Sequence, residues 1–330
     1  MIGNLTAGRD DSGRRLDRIL RRALPDLPLS LIHRLFRQGK VLLDGTVAGP
    51  ETKVRAGSEI RVDAERNAKV PRAHSRPIPP APPLPQILAR GSGIVVFHKP
   101  SGLASHGPAS LDSAVKAAHE AKLLTRSGSA SLSFRPGPLH RLDRHTSGII
   151  AFSENLDGAR LFTSLLRENR ITKTYLAILD GRLPTGEAIF WRDSLSRDRA
   201  AKKTFVADGE NRNEDRRPET EARTLITALA IGERHTLAQA VIETGRTHQI
   251  RAQAAARGHP LAGDAKYGGS VLSGGFFLHA WKLEFDAEIA ELPGIIVASP
   301  PEAFTKTVAR LFPNAARLFA NPSATVPGAR

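Results

Sequence analysis

One stretch crowds an acid among bases. LHRLDRHTSG (139–148) sets Asp143 between Arg141 and Arg144, just ahead of the apolar run 149–152. Positive charge close to a carboxylate favours its ionised form. An ionised, positioned carboxylate can attack as a nucleophile or take a proton as a base. The same pattern also describes a surface ion-pair cluster. His140, Asp143 and Ser147 include the types of a hydrolase triad, but they crowd one short stretch without a nucleophile elbow, and that chemistry is set aside.

Three further clusters carry reactive types. In ETGRTHQIR (243–251), Thr247 suits the start of a helix running to about Arg257, before Gly258 and Pro260. An arginine one turn into such a helix either faces a carboxylate in a two-pronged pair or points into water. KTY (173–175) opens a predicted strand with Lys173 and Tyr175 on one face. The chain has two tyrosines and two tryptophans, so aromatics able to stack on a base are scarce. Tyr175 is a stacking platform or a half-buried packing residue. HKPSG (98–102) follows a predicted strand and sets Lys99 at a sheet end, as a phosphate contact or within a plain turn.

Other chemistries lack their residues. The chain has no cysteine, which excludes a thiol nucleophile and a disulfide framework. The histidines lack paired metal spacing. No Walker-type loop is present, and Gly91-Ser92-Gly93 precedes a strand instead of following one. No metal or nucleotide cofactor is therefore expected.

The elements that must position these residues divide at a proline-dense run, 70–85, which reads as an extended spacer. The expected organisation is a flexible segment 1–13, a front domain 14–63, a linker 64–86, a main domain 87–320 and a disordered tail 321–330. In the front domain Leu16, Ile19, Leu20 and Ala23 recur at helical spacing, with Arg14, Arg15, Arg18, Arg21 and Arg22 around them. A second helix is predicted from a Ser30 cap through Leu31, Ile32, Leu35 and Phe36 to Gly39, with a basic face from Arg34 and Arg37 to Lys40. An Asp44-Gly45 hairpin follows. Arginine on one face is an RNA grip or a solvated surface.

In the main domain, 94–97, 149–152, 174–179, 235–242 and 276–285 read as strands, and 110–121 and 157–166 as helices. Hairpins and long excursions join the strands, so a mixed, largely antiparallel α+β sheet is expected. The charged stretch 196–221 lacks periodicity and reads as a mobile loop. A net charge of +15 across 330 residues repels itself on a compact surface and suits a polyanionic partner, most commonly nucleic acid. The first 15 residues are polar, and no window reaches the roughly 18 apolar residues of a membrane span. A cytoplasmic protein without membrane contact, by default a monomer, is expected.

Taken together and in this order, the clusters resemble the RluA-type pseudouridine synthases that act on large-subunit ribosomal RNA. HRLDRHTSG (140–148) is similar to the family's catalytic motif. HKPSG, KTY, TGRTHQIR (244–251) and GHPLAGDAKYG (258–268) resemble its companions. Residues 14–62 resemble the S4 RNA-binding domain, a small α/β unit that often precedes this catalytic domain. The resemblance implies that Asp143 is the nucleophile, Arg251 its ion-pair partner and Tyr175 the aromatic against the target base. It implies substrate contacts from His140, Arg141, Lys99, Lys173, Arg246, His248 and Ile250, and front-domain RNA contacts from Arg15, Arg18, Arg34, Arg37 and Lys40. The implied activity isomerises uridine to pseudouridine in structured RNA without a cofactor. Ribosomal RNA is the expected substrate; transfer RNA and a non-catalytic assembly factor are the alternatives. His98 stands where asparagine is usual and Gln253 where histidine is common, and the 196–221 stretch matches no family pattern.

Overall fold

A computed structural model describes residues 3–63, 80–121, 123, 131–198, 200–207 and 220–315. The expected linker lies largely outside the described residues, as does the expected tail, whereas 80–86 run irregularly into the larger sheet.

The front domain is a four-stranded sheet in the order β1 (Gly3–Thr6), β4 (Glu59–Val62), β2 (Val41–Leu43), β3 (Thr46–Val47). Helices α1 (Leu16–Ala23) and α2 (Leu29–Arg37) bury Leu16, Ile19, Leu20, Ile32 and Leu35 in its core, as their spacing predicts. Asp44 and Gly45 turn the β2–β3 hairpin with φ of 50° and 79°, the left-handed pair that suits strand twist. Two expectations need correction. Residues 3–13 of the expected flexible lead are structured: β1 pairs with β4 from Gly3↔Val62 to Thr6↔Glu59, and a 3-10 turn (Arg9–Asp11) buries Asp10 and Asp11. Four residues are too few to show an alternating pattern. Helix α2 starts after Pro28, whose fixed φ suits a helix start, so Ser30 lies inside it.

The main domain is an 11-stranded mixed sheet. Its strands are β5 (Ile87–Gly91), β6 (Ile94–Lys99), β7 (Gly137–Pro138), β8 (Ser147–Ser153), β9 (Ile171–Asp180), β10 (Ile189–Asp198), β11 (Lys203–Val206), β12 (Thr220–Ile231), β13 (His235–Ile242), β14 (Leu278–Phe285) and β15 (Ile295–Val297). The order is β11-β10-β12-β13-β9-β14-β8-β6-β5, with β15 beside β14 and β7 beside β8. Helices α3 (Leu111–Glu120), α4 (Leu156–Arg167), α5 (Gln249–Ala256) and α6 (Glu302–Leu311) complete it. The ends of the expected 196–221 loop are strands: Ser196 belongs to β10, β11 follows, and β12 opens at Thr220. An edge hairpin with one wet face needs no continuous apolar run, which hid it from periodicity. Residues 199 and 208–219 lie outside the described residues. Among the described residues no helix is long and apolar enough to cross a membrane.

Among the described residues the sheet has one parallel pairing, and it sets the site. Strands β8 and β14 meet only at His279↔Ser147 and Ala280↔Gly148. Ala280 also pairs with Tyr175 on β9, which pairs with Ala240 on β13. Gly148 has φ +107°, and a Cβ there would overlap the Ala280 carbonyl. The loop carrying Asp143 therefore enters the sheet one strand from Tyr175.

Candidate active site

The loop carrying Asp143 is pinned from below. Ser105 Oγ donates to Leu142 O at 2.7 Å and accepts from Leu142 N at 3.2 Å. Thr146 N donates to Asp143 O, and Gly102 N and Arg144 Nε form reciprocal bonds with Arg144 O and Gly102 O at 2.9 Å. Lys99 lies beneath these turns, 0% exposed. Its ammonium donates to Pro100 O (3.1 Å), Leu103 O (2.7 Å) and Arg144 O (3.1 Å). Three donors meet three carbonyls of two loops, so Lys99 fastens one to the other and does not reach a phosphate. Burial lowers its pKa to about 8, with the Asp143 charge opposing the fall.

Helix α5 brings the opposite charge. Arg251 Nη1 stands 2.8 Å from Asp143 Oδ2. The rest of its fork grips Asp264: Nε to Oδ2 at 2.6 Å and Nη2 to Oδ1 at 2.9 Å. The guanidinium carbon lies 4.8 Å from the Tyr267 ring centroid and 4.5 Å from that of Phe276. A planar cation between two rings and two carboxylates has little freedom to turn. Burial works against its charge, and Asp264 and Asp143 outweigh burial, so its pKa is raised. Arg144 is engaged with Gly102, so the partner of Asp143 comes from 108 residues along the chain.

His248 caps α5 in the left-handed conformation, φ 56°, where Thr247 was expected. Its Nδ1 lies 2.9 Å from the Tyr267 hydroxyl, which accepts from Thr204 N at 3.0 Å. The arrangement that satisfies the phenol hydrogen donates it to Nδ1 and leaves the ring proton on Nε2, 3.8 Å from Asp143 Oδ2. Burial lowers the His248 pKa to about 4, so the ring is neutral at pH 7. The buried face of α5 is polar: Gln249 donates to Thr224 Oγ1 and Arg223 O, and Gln253 donates to Asp193 and accepts from Thr224.

Two cavities flank Asp143. The smaller, about 50 Å³, is walled by Tyr175, Ile242, Ile250 and Leu278, with Arg246 at its rim. The larger, about 360 Å³, is lined by Arg141, Arg144, His145, Lys266 and Phe276 among others. Arg141 and Asp143 border both. Burial, reinforced by the Asp143 charge, raises the Tyr175 pKa, so its phenol keeps its proton. Asp143 Oδ1 takes no hydrogen bond from any described residue.

Several residues proposed from the sequence stand elsewhere. His140 Nε2 accepts from Ala151 N at 3.0 Å while the ring stacks on Phe162. Burial lowers its pKa to about 3, and its acceptor is spent on β8, not on a substrate. Lys173 is buried and lines neither cavity. In the front domain Arg15 pairs with Asp17 at 2.9 Å and Glu51 at 2.8 Å. Arg18, Arg34, Arg37 and Lys40 are exposed and form no ion pair among the described residues. Sequence reasoning missed Asp264, Tyr267 and Phe276; the GDAKYG run held the first two without indicating what they grip.

A profile described as RNA pseudouridylate synthase matches residues 93–256, and one for the S4 domain matches 14–60. The chain is 31% identical over 295 residues to the ribosomal large subunit pseudouridine synthase C of Haemophilus influenzae, spanning 86% of each protein. The chain belongs to the RNA pseudouridylate synthase family. The like-named protein of Escherichia coli strain K12 is 32% identical, over 84% of this chain and 86% of that relative. Among solved structures, a human protein titled RNA Pseudouridylate Synthase Domain Containing 4 shares the fold of this pseudouridylate synthase. Its TM-score is 0.54 at 22% identity, covering 68% of this chain and 92% of that one.

Proposed function

We propose that this protein isomerises particular uridines of large-subunit ribosomal RNA to pseudouridine, with Asp143 as the nucleophile. The reaction breaks the N1–C1′ bond, turns the detached uracil and joins C5 to C1′. The C5 proton leaves and N1 gains one, so atoms balance with nothing imported. One observation carries the reading: a carboxylate, held through Oδ2 by a caged guanidinium with Oδ1 taking no bond from the described residues, stands between an aromatic pocket and a basic one.

The two cavities divide the nucleotide between them. Uracil enters the pocket of Tyr175, Ile242, Ile250 and Leu278, which offers stacking and apolar walls while the base turns. Sugar and flanking phosphates lie toward Arg141, Arg144 and Lys266. The protonated phenol gives Tyr175 a stacking role and not that of a base. Flipping a nucleotide out of folded RNA costs a few kcal/mol, which phosphate contacts at the cleft and on the front domain offset. The relatives named for the ribosomal large subunit, together with a front domain suited to structured RNA, favour that substrate over transfer RNA. The enzyme is read as a cytoplasmic monomer. Mapping pseudouridine in RNA from cells with and without the gene tests the proposal. Loss of particular sites in large-subunit RNA is expected; loss only in transfer RNA, or no loss, overturns it.

A further inference from the structure

The front domain does not merely hang on the linker. Its 3-10 turn pushes Asp11, 0% exposed, onto residues 131–133 of the main domain. Asp11 Oδ2 accepts from Leu132 N at 2.8 Å, and Oδ1 from Ser133 N at 3.0 Å, Ser131 Oγ at 2.9 Å and Ser133 Oγ at 2.5 Å. Gly8 N supplies a further bond to Oδ2 from the domain's own side. Arg14 Nη1 donates to Ser133 Oγ at 2.6 Å, Arg135 Nη2 reaches Arg22 O at 3.4 Å, and Leu132 packs against the front domain's core. Four donors from residues 131–133 offset the cost of burying the Asp11 charge, which is what allows the carboxylate to sit in the contact. Burial opposes the Asp11 charge, but Ser133, Leu132, Gly8 and Ser131 together lower its pKa.

The docked segment leads directly into the catalytic loop. From Ser133 the chain continues through β7, paired to β8 at Gly137↔Ser153 and Pro138↔Phe152. Leu139 N then bonds Ala151 O and His140 Nε2 accepts from Ala151 N, three residues before Asp143. We propose that Asp11 is a positioning residue that locks the front domain to the base of the catalytic loop. The exposed cations Arg18, Arg34, Arg37 and Lys40 are thereby presented at a set distance from Asp143, and the enzyme selects RNA that meets both places at once. Two contacts on one rigid body bind without the ordering cost of a loose tether. The inference rests on the RNA-modifying reading above.

The test uses the full-length chain. Wild type and Asp11→Ala are compared on a long large-subunit RNA transcript and on a short hairpin carrying only the modified uridine. Asp11→Ala is expected to raise KM for the transcript by about tenfold. It should leave kcat on the transcript, and both constants on the hairpin, within about twofold of wild type. Hydrogen exchange at Leu132 N and Ser133 N should quicken at the same time, a readout independent of activity. An unchanged transcript KM, an equal loss on both RNAs, or unaltered exchange overturns the proposal. If Asp11→Ala does not fold, Asp11→Asn and Ser133→Ala decide by the same measurements, with smaller shifts in the same direction expected. A wild-type protein that forms no pseudouridine refutes the function, while the exchange result still judges the docking.

Discussion

Replacing Asp264 by asparagine tests whether the grip on Arg251 is what holds the nucleophile. The substitution is nearly isosteric and lies where the Asp264 side chain is 2% and the Arg251 side chain 7% exposed. Asparagine keeps one acceptor oxygen but turns an amide donor toward the second guanidinium N–H, so one of the bonds at 2.6 Å and 2.9 Å is lost. A charge-assisted bond of this kind contributes roughly 1.5–3 kcal/mol. For a chain of this size that corresponds to a Tm lower by roughly 2–4 °C. Arg251 would then keep one bond to residue 264 beside its bond to Asp143 Oδ2, and the guanidinium could turn and carry Asp143 with it. Misplacement of a reacting group by about 1 Å costs around 10²-fold in rate, or about 2.7 kcal/mol of barrier. Single-turnover pseudouridine formation, a thermal melt and an RNA binding titration separate the effects. The expectation is kcat lower by about 10²-fold with RNA affinity unchanged, since Asp264 borders neither cavity. A variant that melts earlier but turns over at the wild-type rate would refute the claim that the fork positions Asp143.

Other expectations follow from the same geometry. Above pH 8 the Lys99 amine holds two hydrogens for three carbonyls, so kcat should decline with an apparent pKa of about 8 in a pH–rate profile. The sign for stability is opposite: between about 8 and 10.5 the unfolded chain binds the extra proton, so this group's contribution to stability rises with pH across that window. Gly148→Ala forces a Cβ onto the Ala280 carbonyl at φ +107°. It should cost at least about 1–3 kcal/mol from backbone conformation alone, seen as a lower Tm with a larger fall in kcat. The double substitution Arg34→Ala with Arg37→Ala should flatten the plot of log affinity against log salt by about 1.5, leaving kcat unchanged in saturating RNA.

That Asp143, Tyr175 and Arg251 meet was legible through the family resemblance of the short motifs HRLD, KTY and QIR; the residue types alone left each of them open. Front-domain helices were legible for a different reason, since Leu16, Ile19 and Leu20 repeat on one face and bury it. What stayed hidden depends on chain closure. Asp264 meets Arg251 only after α5 has ended and the chain has turned back, a juxtaposition no periodicity encodes. Lys99 and His140 read as substrate contacts because the resemblance implied it; only the fold shows their polar atoms turned inward. Arg15 likewise looked free until Glu51 came beside it. Strand β10 escaped because its polar residues suit the margin of a sheet, where it stands next to the edge strand β11, and α5 is buried through Gln249, Arg251 and Gln253 instead of an apolar stripe.

The central claim is that the carboxylate of residue 143 does the covalent work, and Asp143→Asn isolates it. That variant keeps an oxygen for Arg251 and the shape of the loop while removing the attacking charge. Purified protein, incubated with large-subunit RNA, should bind no more weakly than wild type and form no pseudouridine. Turnover by the asparagine variant at a measurable rate would contradict the account.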